Sequence, residues 1–200
     1  MKPMFSIIIP SHNGESCLAR CLDSVEMQHY RNYETVVICD ACTDRTEDIA
    51  KKFGVKTFTV DYHRDGLTRN VGLDHAEGEF ILFLDHDDWW MHEYVLDLLC
   101  EQISENPALD CLYFSFVWKG MGYYRQTPNR SYIAVWNKMW RREFIGKTRF
   151  TDRPHWSDTD FNEQMKLKPG KRVYWDHPVY YYNYLYPGSI NAQYAAGEIE

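Results

Sequence analysis

Residues 79–88, Glu79-Phe80-Ile81-Leu82-Phe83-Leu84-Asp85-His86-Asp87-Asp88, run from an apolar stretch straight into three carboxylates. The stretch from Glu79 to Leu84 is the strongest strand signal in the chain, short, continuous and rich in aromatic and branched residues. In an open α/β sheet ligands gather beyond the carboxyl ends of the strands, where Asp85, Asp87 and Asp88 stand. Like charges this close cost on the order of several kcal/mol when buried without partners, so a cation is their natural neutraliser. Hard oxygen ligands favour Mg2+ or Mn2+ bridging to a diphosphate. A capping loop is the plain alternative for an isolated Asp-x-Asp, and the strand in front of it tips the reading toward a ligand site.

The pattern repeats upstream. Phe5 to Pro10 (FSIIIP) reads as a buried strand entering the turn Ser11-His12-Asn13-Gly14. Leu18, Cys21, Leu22 and Val25 mark one face of a helix within 16–28, and Glu34 to Cys39 (ETVVIC) is a second strand leading to Asp40-Ala41-Cys42-Thr43-Asp44. A helix over 43–53 capped by Thr43 or Asp44, a strand over 55–60 and a helix over 67–76 follow. Downstream, a helix over 94–105 stops at Asn106-Pro107, and Cys111 to Trp118 reads as an aromatic strand. The remainder is less regular. Strands alternating with helices predict an α/β fold, a single Rossmann-like domain over 1–200 with a mostly parallel central sheet flanked by helices.

The formal net charge of −7 hides an asymmetry: residues 1–117 carry 9 basic and 21 acidic side chains, residues 118–200 carry 13 and 8. Arg125, Arg130, Lys138, Arg141, Arg142, Lys147 and Arg149 fall in the second part. Either an anionic acceptor or membrane surface sits there, or the face simply balances the acidic half. Cys39 and Cys42 have CxxC spacing but no second ligand pair, so reduced thiols are the default over zinc or redox use. No apolar run approaches the ~18 residues of a membrane span, and Met1 to Phe5 runs directly into a strand with no room for a leader. The expectation is a cytoplasmic protein, with peripheral contact at the inner membrane face left open. The turn after the first strand has no GxGxxG, which argues against a dinucleotide-dependent dehydrogenase.

FSIIIPSHN, ETVVICDACTDRT and GLTRNVGLDHAEGEFILFLDHDD, in this order and spacing, resemble the nucleotide-sugar glycosyltransferases of family 2, which have the GT-A fold. The likeness continues more weakly in VWNKMWRREFI, WSDTDF and YYYNYLYPGSI. It implies a nucleotide-sugar-binding half over about 1–117 and an acceptor-binding half over about 118–200. Pro10, Ser11 and Asn13 would line the donor pocket, Asp40 would accept a hydrogen bond from the base, typically uracil, and Arg69 would reach the base or diphosphate. Asp85 and His86 would meet the donor, with Asp87, Asp88 and the later His177 as candidate ligands of Mn2+ or Mg2+. Gly188-Ser189 matches a position near the diphosphate.

The same resemblance implies a carboxylate base that deprotonates the acceptor hydroxyl, here Asp158 with Asp160 as competitor, and inversion at the anomeric centre. Trp136 and Trp156 flank the implied acceptor cleft, where they either stack on a sugar or pack the core. A structural histidine before Pro178 is the alternative for His177. The acceptor is expected to be a surface glycan or a lipid-linked glycan, with hydroxymethylated bases of viral DNA as the minority alternative. A non-catalytic nucleotide-sugar or carbohydrate-binding module is the alternative of another class.

Overall fold

The computed structural model describes residues 4–119, 123–128, 133–184 and 186. β1 (Phe5–Ser11) is buried along its whole length, as a central strand of a parallel sheet is expected to be. It takes β2 (Tyr33–Asp40) on one side and β4 (Phe80–Phe83) on the other, both parallel, with Ile8 opposite Val36 and Phe83. β3 (Lys56–Val60) extends this parallel half beyond β2. Between the strands run α1 (Leu18–Glu26), which buries Leu18, Cys21, Leu22 and Val25, then α2 (Thr46–Lys52) and α3 (Asp65–His75). Asp44 Oδ1 accepts the Thr46 N–H at 2.9 Å in the turn before α2, whose N-cap is Arg45 rather than the expected Thr43 or Asp44.

The second half departs from a mostly parallel sheet. After β5 (Trp89–Trp90) and α4 (Val95–Glu105) come β6 (Leu109–Lys119), β7 (Tyr123–Gln126), β8 (Lys138–Arg141), α5 (Arg142–Ile145), α6 (Ser157–Leu167) and β9 (Lys171–Tyr182). The strand order is β3-β2-β1-β4-β8-β6-β9-β5, with β7 also on β6. β8 runs antiparallel to both β4 and β6, β5 antiparallel to β9, and only β6 with β9 is parallel in this part. The sheet is therefore mixed: the short β6–β7 connection forces an antiparallel pair, as parallel neighbours need long crossovers.

An aromatic cluster seats α6 against the sheet. Phe150 and Phe161 stack at 4.2 Å, and Phe83 meets both edge-on at 5.5 and 6.3 Å. This packing fixes the start of α6 opposite the carboxyl end of β4.

Candidate active site

Arg69, on α3, joins three elements. Its Nη1 donates to Asp65 Oδ2 at 2.5 Å and to Asp158 Oδ1 at 3.2 Å, and its Nη2 to Asp85 Oδ1 at 2.8 Å. The side chain is only 5% exposed. Burial opposes its charge, but Asp158, Asp85 and Asp65 together hold the guanidinium far above its usual range. Arg69 thus gathers Asp65, Asp85 and Asp158, while its Nε is buried without a hydrogen-bond partner among the described residues. Asp65, not expected at the site, also accepts from Ser157 Oγ at 3.1 Å. Its spacing of four from Arg69 on one helix was the available signal.

Asp158 lies in the first turn of α6, just after Trp156, which adopts a left-handed φ of 65°. Its Oδ2 accepts the Val135 N–H at 3.1 Å. Burial lifts its carboxyl to about 6, with Arg69 pulling the other way and Asp65 and Asp85 adding to the rise. Asp160 instead faces the surface, where it accepts from Thr151 at 2.6 Å and Arg153 at 2.8 Å. The Thr151 hydrogen bond leads the causes that lower its carboxyl, so the competitor is held ionised away from the Arg69 group. α3 and α6 meet closely because position 66 is glycine: a Cβ there would stand 2.8 Å from Ser157 Cβ.

The acids after β4 divide in role. Asp85 belongs to the Arg69 group, and His86 Nδ1 lies 3.2 Å from Pro10 O, so its ring lies against the first loop. Gly14 makes room for this, since a Cβ would stand 2.6 Å from Ser11 Oγ and 2.7 Å from His86 Cδ2. Asp87 accepts from Arg20 at 3.0 Å and from Asn183 at 3.3 Å through its main-chain carbonyl. Burial raises its carboxyl, with His86 opposing and Asp85 adding.

Asp88, a candidate metal ligand by sequence, is buried and hydrogen-bonded by protein groups on both oxygens. Its Oδ2 accepts from the Tyr180 hydroxyl at 2.6 Å and its Oδ1 from the Asn183 N–H at 2.7 Å, and it has no exposed surface. His177, the later candidate ligand, stacks on Trp175 at 4.7 Å and meets His92 edge-on at 6.3 Å. Tyr180 and Asn183 were not singled out individually, since nothing in the local sequence marks which residues of the tyrosine-rich stretch turn inward.

Around the first two loops, Pro10 and Ser11 end the buried β1, and Ser11 Oγ is buried without a hydrogen-bond partner among the described residues. Asn13, at a φ of 48°, accepts the Thr43 N–H at 2.8 Å through Oδ1, while its own N–H meets Cys42 Sγ at 3.4 Å. It ties the β1 loop to the β2 loop. Asp40 anchors the loop that follows β3. Its two oxygens accept from the N–H groups of Tyr62 (2.7 Å), His63 (3.0 Å) and Arg64 (3.0 Å) and from Thr68 Oγ1 (2.8 Å), which fills the carboxylate. Against the cost of burial, these bonds hold it below the usual carboxylate range.

Trp136 is core packing, 5% exposed and stacked on Tyr180 at 4.5 Å, whereas Trp156 is 49% exposed beside Asp158. Three residues of the basic stretch are paired internally: Arg125 with Asp176, Arg141 with Glu79 and Arg149 with Asp74. That favours the charge-balancing reading of this face. Arg130, Gly188 and Ser189 lie outside the described residues.

Fold and site together define a GT-A-type α/β protein, with acids at the strand ends and a further carboxylate held across from them. The chain belongs to glycosyl transferase family 2, whose model matches residues 6–167. It is 28% identical to glycosyltransferase GlyA of Streptococcus pneumoniae over 93% of this chain and 31% of that protein. It is 37% identical to the UDP-Glc:alpha-D-GlcNAc-diphosphoundecaprenol beta-1,3-glucosyltransferase WfgD of Escherichia coli, over 44% of this chain and 36% of that protein. The crystal structure of Staphylococcus aureus TarS 1-349 in complex with UDP superposes with a TM-score of 0.81 at 25% identity, covering 92% of this chain and 60% of that one. Mannosyltransferase PcManGT of Pyrobaculum calidifontis, in complex with GDP-Man and Mn2+, shares the fold at 16% identity and a TM-score of 0.73. The chain thus spans between 31% and 60% of the length of these relatives. Among the described residues no helix is long and apolar enough to cross a membrane.

Proposed function

We propose that the protein is an inverting, metal-dependent glycosyltransferase that moves a sugar from a UDP-sugar to an acceptor hydroxyl in the synthesis of a surface or lipid-linked glycan. The observation that carries this reading is Asp158, placed across Arg69 from Asp85 with its carboxyl lifted to about 6. A group poised near neutrality suits a general base. Asp158 takes the proton of the acceptor hydroxyl while that oxygen attacks the anomeric carbon from the face opposite the nucleotide, which inverts the centre. Half-exposed Trp156, one turn-residue away, offers a stacking face for an acceptor sugar.

The donor set fits a divalent ion. Asp87 carries a carboxyl that burial and Asp85 make costly to ionise, a cost that Mn2+ or Mg2+ would relieve. Among the described residues no three His, Cys, Asp or Glu side chains converge as a ready-made metal site. Asp87 would therefore hold the ion together with diphosphate oxygens and water, and the bound ion would neutralise charge on the leaving diphosphate. The UDP complex of TarS and the Mn2+ complex of PcManGT support this choice of donor and ion. The names of TarS, a poly(ribitol-phosphate) beta-N-acetylglucosaminyltransferase, and WfgD, an alpha-D-GlcNAc-diphosphoundecaprenol beta-1,3-glucosyltransferase, support the glycan acceptor. Asp158→Asn tests the reading: UDP affinity should persist within about threefold while turnover falls by about a hundredfold or more. Retained turnover would reject Asp158 as the base.

A further inference from the structure

Lys138 opens β8 inside Val135-Trp136-Asn137-Lys138-Met139-Trp140, a run buried at every position. An ammonium group without solvent exposure is costly and calls for a compensating role. Its Nζ donates to Ala134 O and, at 2.9 Å, to Asn137 Oδ1, and it lies 5.1 Å from the centre of the Tyr113 ring. The Ala134 carbonyl belongs to the same peptide unit as the Val135 N–H, which donates to Asp158 Oδ2 at 3.1 Å. One rigid peptide thus has an ammonium at its oxygen end and the Asp158 carboxylate at its nitrogen end. A cation on the carbonyl polarises the amide and strengthens its N–H as a donor. The adjoining carbonyl of Ile133 accepts from Asn162, which also donates to Asp158 O at 2.8 Å, so the same turn grips the start of α6.

We propose that Lys138 is a positioning residue for Asp158, acting through the Ala134–Val135 peptide to orient its carboxylate and favour its ionised form. The assignment rests on the reading of Asp158 as the base. The charged and titratable groups around the pair are known: Arg69 and Asp65 from α3 and Asp85 after β4 face Asp158, while Cys111 and Tyr113 from β6 and Lys166 from α6 face Lys138. Burial draws the ammonium down to about 7, with Cys111 and Asp158 sustaining its charge and Lys166 opposing it. Removing that charge takes away a source of support for the Asp158 carboxylate, so the carboxyl should rise further.

The test measures UDP release from UDP-N-acetylglucosamine or UDP-glucose with Mn2+ and water as acceptor, across pH 4.5–9 at roughly half-unit steps. Lys138→Met should lower kcat by about tenfold or more, leave KM for the UDP-sugar within about threefold, and move the acid limb of kcat/KM up by about one pH unit. Lys138→Gln keeps a neutral donor to Ala134 O, so its kcat loss should be smaller while its acid limb still moves up. Wild-type kcat and acid limb in both variants would overturn the assignment. Loss of UDP binding and of cooperative melting in both would also overturn it, since the lysine would then serve the fold rather than the base. Asp158→Asn is run alongside: if that variant alone keeps turnover, the reading of the base has failed, whereas an inactive Asp158→Asn beside unaltered Lys138 variants isolates the failure to Lys138.

Discussion

Asp158 and Asp160 stand two positions apart on one helix, and their neighbours separate them: Arg69 and the Val135 N–H hold the first, Thr151 and Arg153 the second. Asp160→Asn should therefore leave turnover within about threefold of wild type and hardly move the urea midpoint, as exposed ion pairs contribute little. A turnover loss as large as that of Asp158→Asn would reverse the assignment. A base must be ionised to accept a proton, so activity should be lost as pH falls through about 6, read from kcat/KM against pH. Asp85 and Asp87 stand out as candidates because loop acids after buried strands mark a site, whereas Arg69 and Asp158, on α3 and α6, are picked out only through the likeness to family 2. The roles of Asp40 and Asp88 were not legible, because nothing in a sequence shows that backbone N–H groups or a distant tyrosine will occupy both oxygens of a carboxylate. Between sugar stacking and core packing, the sequence leaves Trp136 open for a similar reason: its partner Tyr180 is 44 residues away in sequence and adjacent only after β9 folds in.

Among the elements, the contact between α3 and α6 sets the distance from Arg69 to Asp158. Gly66→Ala should push Ser157 away, since the new Cβ would start 2.8 Å from Ser157 Cβ and 3.0 Å from Phe150 Cβ. Overpacking of this kind costs about 1–3 kcal/mol, measurable by urea unfolding. The rate of UDP release should fall by more than the loss of folded protein explains, while an unchanged rate would show that the two helices can separate without moving the base. The parallel strands and α1 to α4 were legible from continuous apolar runs and helical spacing. α6 was not, because its buried face includes the polar Ser157 and Asn162 beside Phe161 and Met165. β9 was hidden by the polar Asp176 and His177 before Pro178, where its register against β6 shifts.

At the scale of the molecule, two unlike halves share one sheet: β3-β2-β1-β4 with acidic loops, and a mixed second half that brings α6 and its carboxylate across from them. The charge asymmetry seen in the sequence is resolved by pairs that cross between halves, Arg141 with Glu79 and Arg149 with Asp74. The most direct test of the central claim is nucleotide diphosphate release from a panel of UDP-, GDP- and dTDP-sugars, with Mn2+ or with chelator. The account predicts release from a UDP-sugar that needs the metal, is abolished by chelation and disappears in Asp87→Ala. Absence of release together with absence of binding to every nucleotide sugar in the panel would contradict it.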